Sequence, residues 1–96
     1  MKYYVTTTWK HKNQIDRVKM ENLLASYKGS NPSVLETIWF KIDDYTHGAV
    51  VTFTSEEDYL KNKHLHQKAR EESSKSEEVT MIREEVGTQL AVLSEL

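Results

Sequence analysis

The sequence predicts a single α+β domain in which two helices cover one face of an antiparallel sheet. Two observations support this prediction. Two runs rich in β-branched and aromatic residues, 34–42 and 49–54, flank a short polar turn, which is typical of a β-hairpin. Segments with apolar residues at helical spacing precede and follow the hairpin. The expected order of elements over residues 1–96 is β-α-β-β-α-β.

The first strand is expected at residues 3–9, which place Tyr3, Val5, Thr7 and Trp9 on one face. Residues 10–12 form a polar exit from this strand. A helix is expected at about 14–28, with Asn13 as its N-cap and Gly29 just after its last turn. Its apolar stripe comprises Met20, Leu23, Leu24 and Tyr27. A loop with the one proline of the sequence leads to the hairpin.

The hairpin strands carry apolar or neutral side chains on both faces. We expect the strands at 34–42 and 49–54 and the turn at 43–48. Two helices can cover only one face of the sheet, so the other face needs a second cover or must be exposed to water. A second copy of the chain is the simplest cover, and we therefore expect a homodimer.

A second helix is expected to begin after Ser55, because this serine can cap the acidic first turn that follows it. Its inward stripe comprises Tyr59, Asn62, Leu65, His66 and Ala69. The polar segment 73–76 is expected to end this helix.

The last twenty residues allow two interpretations. As a helix, they form an apolar stripe of Val79, Ile82, Val86, Leu90 and Leu93. As a strand at about 78–86, followed by a short helix within 89–95, they complete the β-α-β-β-α-β unit. Periodicity alone favours the helix. We predict the strand because the preceding elements lack only this one.

Composition excludes several classes of protein. The chain has 38% hydrophobic and 29% charged residues, which is typical of a globular domain. Its net charge of −2 gives no general attraction to nucleic acids or to anionic membranes. Lys41 is the only basic residue on the hairpin strands, which argues against an RNA-binding sheet. Without cysteines, a signal peptide or a long apolar run, the expected location is cytoplasmic.

The order of elements, the aromatic-rich first strand, the Ser55-Glu56-Glu57 cap and the histidine of the second helix together resemble the dimeric α+β barrel superfamily. This group includes antibiotic-biosynthesis-monooxygenase-like and stress-responsive barrel proteins. The resemblance covers nearly the whole chain. It implies a ferredoxin-like fold, a dimer and, as one alternative, cofactor-independent monooxygenase chemistry.

His66 is the main candidate for chemistry. His64 and His66 are two residues apart, about 200° around a helix, so they cannot bind one metal ion together. His66 should point inward, as a half-buried structural residue or as a ligand group or general base. It resembles the histidine with which haem-degrading members of the superfamily bind iron. Those proteins also carry an asparagine on the first strand, where this chain has threonines at 6–8, so no cofactor is expected.

Asp43, Asp44 and His47 form a second polar cluster, in the predicted hairpin turn. Two adjacent acids and one histidine are too few ligands for a divalent cation. Aspartates in turns usually accept hydrogen bonds from their own backbone. No metal site is therefore expected.

The sequence names no reaction, and no catalytic residue can be assigned. Our main expectation is a homodimer that binds a small apolar or aromatic molecule in a cavity of roughly 300 Å³ or more. The candidate ligand-binding residues are His66, Tyr59, Asn62 and Trp39. The alternatives are a cofactor-independent monooxygenase-like enzyme and a purely structural interaction module.

Overall fold

The computed structural model describes residues 1–96, apart from the side chains of Ser76 and Glu77. In chain order the elements are β1 (Tyr3–His11), α1 (Arg17–Ala25), β2 (Val34–Asp43), β3 (Thr46–Phe53), α2 (Glu56–Lys61), α3 (Lys63–Glu77), β4 (Val79–Thr88) and a short 3₁₀ turn (Leu93–Glu95). The predicted α+β class and order of elements are confirmed, with the second helix divided at Asn62 into α2 and α3. Within the described residues, no helix is long and apolar enough to cross a membrane.

The four strands form one antiparallel sheet in the order β2-β3-β1-β4. β4 pairs with β1 along its whole length, so the strand interpretation of this segment is confirmed. Val79 and Val86, which would belong to a helix stripe, instead lie on this strand opposite His11 and Val5 of β1. Val79 is 6% exposed, whereas Val86 at the sheet edge is 52% exposed.

Alternation along the two central strands creates the hydrophobic core. In β1, and in β3 from Ala49 onwards, the inward residues are buried and those between them are half-buried or exposed, whereas the first four residues of β3 are all buried. One buried cluster comprises Tyr3, Val5, Val51, Phe53 and Tyr59. A second comprises Trp9, Ala49 and Val79, with Trp39 packed against it. Both clusters lie on the face of the sheet that the helices cover.

The first helix is shorter than predicted. It begins after Asp16, whose carboxylate accepts a hydrogen bond from the Lys19 backbone N–H at 3.3 Å, so Asp16 and not Asn13 is the N-cap. The Ile15 backbone N–H donates to the Asp44 carbonyl at 2.8 Å, which holds the segment before the helix against the hairpin. The helix ends at Ala25, and Gly29 has a φ of +73° in the turns that follow.

The serine-rich segment does not end the second helix. Because Ser74 Oγ donates to the Val79 carbonyl at 2.6 Å, this part of the helix is tied to the start of β4. α3 continues to Glu77, and its C-cap Glu78 has a left-handed φ of 52°.

The hairpin turn is also shorter than predicted. Asp43 Oδ1 accepts a hydrogen bond from the Tyr45 backbone N–H at 2.9 Å, which closes the turn at residues 44–45. β3 therefore begins at Thr46, so His47 and Gly48 belong to the strand and not to the turn. Both residues are buried.

Candidate functional site

A cavity of about 760 Å³ lies between the helices and the sheet. This volume exceeds the 300 Å³ expected from the sequence and falls within the usual range of small-molecule sites. The helical wall includes the predicted stripe of α1, namely Met20, Leu23, Leu24 and Tyr27. The sheet wall includes Thr7, Trp9, Trp39, His47 and Val51. Most of the wall is therefore apolar or aromatic.

The cavity exists because α1 does not pack directly on the sheet. No residue of α1 is buried, and its apolar stripe is only half-buried. The Tyr27 hydroxyl lies 3.3 Å from the Ala69 carbonyl and 3.0 Å from Ser73 Oγ, so the end of α1 is tied to α3. These contacts hold α1 beside α3, and the space between the apolar stripe of α1 and the sheet remains open.

One end of the cavity is built from stacked rings. The His47 imidazole is parallel to the Trp9 indole, with an interplanar angle of 6° and ring centroids 6.2 Å apart. The Trp39 ring lies 5.4 Å from the same imidazole. Trp9 Nε1 donates to Thr7 Oγ1 at 2.8 Å, so the indole N–H is paired. We call Trp9, Trp39, His11 and His47 the aromatic end.

Two buried histidines meet at the aromatic end. His11 Nε2 and His47 Nδ1 are 2.6 Å apart, and both residues line the cavity. Burial, with a smaller contribution from His11, lowers the pKa of His47 to about 4. His47 is therefore neutral at pH 7, and one imidazole of the pair donates to the other.

This pair was not predicted from the sequence, because His11 was expected in the polar segment that follows the first strand and His47 in the hairpin turn. The alternation of Tyr3, Val5, Thr7 and Trp9 continues to His11 and could have identified it. Alternation could not have identified His47, since its place on β3 depends on where the hairpin turn closes.

The opposite end of the cavity contains His66. Its ring packs edge-on against Phe53 at 5.3 Å and against Tyr59 at 5.9 Å. Burial, and next the positive charge of Arg70, lowers the pKa of His66 to about 4. Arg70 Nη1 lies 2.6 Å from a carboxylate oxygen of Glu84 on β4.

The predicted ligand-binding residues divide into two groups. His66 and Trp39 line the cavity, at opposite ends. Tyr59 is buried in the core beside Tyr3, with ring centroids 5.1 Å apart, and is outside the cavity wall. Asn62 lies between α2 and α3, where its side chain donates to the Asp58 carbonyl at 3.2 Å. His64 is exposed, as its spacing from His66 predicts.

The acidic residues of the hairpin do not form a site with His47. The two aspartates are exposed at the turn, whereas the imidazole is buried on the helix-covered face against His11. Among the side chains that the structure describes, no three histidine or acidic residues are arranged to hold a metal ion.

Comparison with known proteins identifies solved structures that share the fold of this chain. No protein-family model and no curated protein matches the sequence. Solved structures do match the fold. A protein named YJCS has a TM-score of 0.66 at 10% identity, over 94% of this chain and 100% of that one.

SnoaB from Streptomyces nogalater, described as a cofactor-independent oxygenase, has a TM-score of 0.68 at 10% identity, over 96% of each chain. An asparagine-to-alanine variant of SnoaB has a TM-score of 0.67 at 11% identity. At such identities the likeness concerns the fold. The chain thus shares the ferredoxin-like α+β fold of these structures.

Proposed function

We propose that this protein binds an amphipathic or aromatic small molecule in the cavity between α1, α3 and the sheet. The observation that supports the proposal is that a cavity of about 760 Å³ lies between the apolar stripe of α1 and the aromatic sheet face, so the two surfaces do not touch. Protein interiors are normally packed without such spaces. An apolar ligand would remove both surfaces from water and complete the core.

The aromatic end determines which apolar groups suit the cavity. Trp9, Trp39 and His47 present ring faces and edges within one wall. Aromatic rings bind other aromatic rings in offset or edge-on geometry. A flat ring system or an alkyl chain is therefore the expected apolar part of the ligand.

Tryptophan fluorescence tests the proposal, because both tryptophans of the chain line the cavity. Titration with 1-dodecanol, or with 2-naphthol detected by calorimetry, should give saturable binding with one site per chain. The dodecanol titration should also change the tryptophan emission. Failure of both molecules to bind, at concentrations up to their solubility, would leave the structural interaction module as the explanation of the fold.

We also propose that the chain forms a homodimer through the sheet face that the helices leave open. Ile38, Phe40 and Ile42 are 55%, 49% and 51% exposed along β2. An exposed apolar strand at a sheet edge favours association. Two copies with this face can cover each other about a two-fold axis, since each presents the same surface.

A second candidate function is cofactor-independent oxygenation. The His11–His47 pair lies beside the two indoles in the cavity wall, where it can accept a hydrogen bond from a bound phenol and so favour its phenolate form. A phenolate gives electrons to oxygen more readily than a phenol does. SnoaB, described as a cofactor-independent oxygenase, has the same fold. An oxygen electrode with a panel of hydroquinones separates the two functions, since a binding protein does not accelerate oxygen consumption.

A further inference from the structure

Three side-chain nitrogens in the cavity wall are buried without a hydrogen-bond partner. They are Asn31 Nδ2, His66 Nε2 and Arg70 Nη2. Other polar groups of the same wall are paired within the protein, including Trp9 with Thr7 and His11 with His47. A buried polar nitrogen without a hydrogen-bond partner destabilises the fold. Three such atoms in the wall of one cavity indicate that a partner is supplied from outside.

Two of the three atoms can only donate. Asn31 Oδ1 accepts from both the backbone N–H and the hydroxyl of Ser33, at 3.0 and 2.7 Å. These bonds fix the amide orientation, so the unpaired atom is the NH₂ group. Arg70 keeps its charge and its five donors at any ordinary pH. His66 Nε2 can donate or accept, depending on its tautomer.

Two of the three residues are neighbours on α3, and the sheet connects the third to them. His66 and Arg70 are one turn apart on α3, which places their side chains on the same helix face. The Asn31 carbonyl accepts a hydrogen bond from the Val34 backbone N–H, and Val34 is opposite Phe53 in the sheet. The Phe53 ring in turn packs against His66. We call Asn31, His66 and Arg70 the donor end.

The charge at the donor end favours an anion. Arg70 is paired with Glu84, but the arginine side chain is 11% exposed and the glutamate side chain is 35% exposed. Water therefore screens the negative partner more than the positive one. Glu84 contacts Nη1, whereas Nη2 is buried and has no hydrogen-bond partner. The positive charge of the pair is thus the less hydrated one, which favours an anionic partner for Arg70.

We infer that the donor end binds the carboxylate of an amphipathic ligand whose apolar part extends to the aromatic end. This inference rests on the proposed function. Phe53 and His47 mark the two ends and are six residues apart on β3, a span of roughly 20 Å. The unpaired atoms are covered by neighbouring side chains, so the three residues must turn slightly towards the carboxylate as it enters.

Three probes with the same tail test the inference: dodecanoate, 1-dodecanol and dodecyltrimethylammonium, below their micelle concentrations at pH 7.5. Tryptophan fluorescence reports occupancy of the cavity. We expect the affinity for dodecanoate to exceed that for dodecanol by about tenfold or more, because a charge-assisted hydrogen bond is stronger than one between neutral groups. The ammonium compound should bind most weakly.

Asn31→Asp is the decisive variant. It keeps the oxygen that accepts from Ser33 and replaces the unpaired donor by a carboxylate oxygen. Dodecanoate affinity should fall about tenfold or more, whereas dodecanol affinity should not change. Asn13→Asp makes the same change of charge at an exposed position and should have no effect.

Arg70→Met combined with Glu84→Gln removes the ion pair without leaving a single charge, and it should also abolish the preference for dodecanoate. Arg83→Gln is its control, because Arg83 is exposed and lies outside the cavity wall. Equal affinity of the wild type for dodecanoate and dodecanol would overturn the inference and leave the proposed function intact. Absence of binding by all three probes would contradict the proposed function itself, and the inference with it.

Discussion

His11 Nε2 lies 2.6 Å from His47 Nδ1, and this contact joins the end of β1 to the start of β3 in the wall of the cavity. Both side chains are buried, at 8% and 6% exposure. Two imidazole nitrogens can share one hydrogen bond only when one of them carries the proton and the other accepts it. The pair therefore behaves as a single polar unit in an otherwise aromatic environment, and protonation of the pair should lower the stability of the fold.

The first prediction concerns this pair and pH. The pKa of His47 is about 4 when folded and 6.5 in its ordinary state. Between these values the unfolded chain binds a proton that the folded chain does not, so stability is complete above pH 6.5 and falls as pH decreases towards 4. The loss attributable to His47 should reach roughly 2 kcal/mol at pH 5.

Urea unfolding at pH 7.5, 6 and 5 measures this loss. His47→Gln should reduce the dependence of stability on pH by the His47 contribution, and the remainder includes His66, whose pKa is also lowered to about 4. His64→Gln is the control, because it also removes one imidazole but at an exposed position. A pH dependence that is the same in His47→Gln and the wild type would contradict a neutral, buried His47.

The second prediction concerns assembly. Light scattering at micromolar concentration should give twice the 11.2 kDa mass of the chain. Ile38→Glu and Phe40→Asp should each yield monomers, since a charge buried in the interface costs several kcal/mol. Val18→Glu, on the exposed side of α1, should remain a dimer. A folded wild-type protein that stays at 11.2 kDa would exclude the dimer.

Gly48 gives a finer test of the same surface. A Cβ at this position would clash with Cζ of Phe40, so the phenyl ring rests directly on the glycine. The ring is 49% exposed and can swing away. Gly48→Ala should therefore displace the ring and weaken the dimer, while the monomer loses little stability. In a Phe40→Ala background the same substitution should have no further effect on dimerisation, which a double-mutant cycle can measure.

The third prediction is that haem does not bind through His66. The unpaired nitrogen of this imidazole is covered, and its ring is held edge-on against Phe53 and Tyr59. The first strand has threonines where the haem-degrading proteins have an asparagine. Absorption spectroscopy with added haem should give no stoichiometric shifted Soret band. A band that is present in the wild type and lost in His66→Ala would be the contrary result.

Much of the fold could be predicted because local patterns and tertiary packing agree. The strands β1 and β3 lie where alternation predicts them, and α2 begins at the predicted Ser55 cap. The predicted apolar stripe of the first helix faces the cavity. The side chain of Ser55 accepts from the Asp58 backbone N–H at 3.0 Å, as expected of a cap. Errors occurred where polar residues have tertiary partners. Ser74, for example, stays helical because its hydroxyl reaches Val79.

The site was less predictable because it depends on register and on loops. Trp39 and His66 were identified from strand and helix periodicity, and both line the cavity. His11 and His47 meet only because the turn closes at residues 44–45. Asn31 comes from a loop whose position is set by its bonds to Ser33 and Val34. No periodic pattern in the sequence contains that information.

The final prediction concerns the cavity, on which the account depends most. Ala69 is on α3 and lines the cavity, so Ala69→Phe should fill part of it. The ligand-free variant should be at least as stable as the wild type, because the added ring packs into empty space and not against a filled core. Ala91→Phe, at an exposed position outside this cavity, is the matched control.

Calorimetric titration of the wild type, Ala69→Phe and Ala91→Phe with dodecanoate is the most direct test. We expect one site per chain in the wild type and in Ala91→Phe, and a loss of affinity of about tenfold or more in Ala69→Phe. Equal affinity in all three proteins, with Ala69→Phe folded, would show that the ligand binds elsewhere and would contradict the cavity as the functional site.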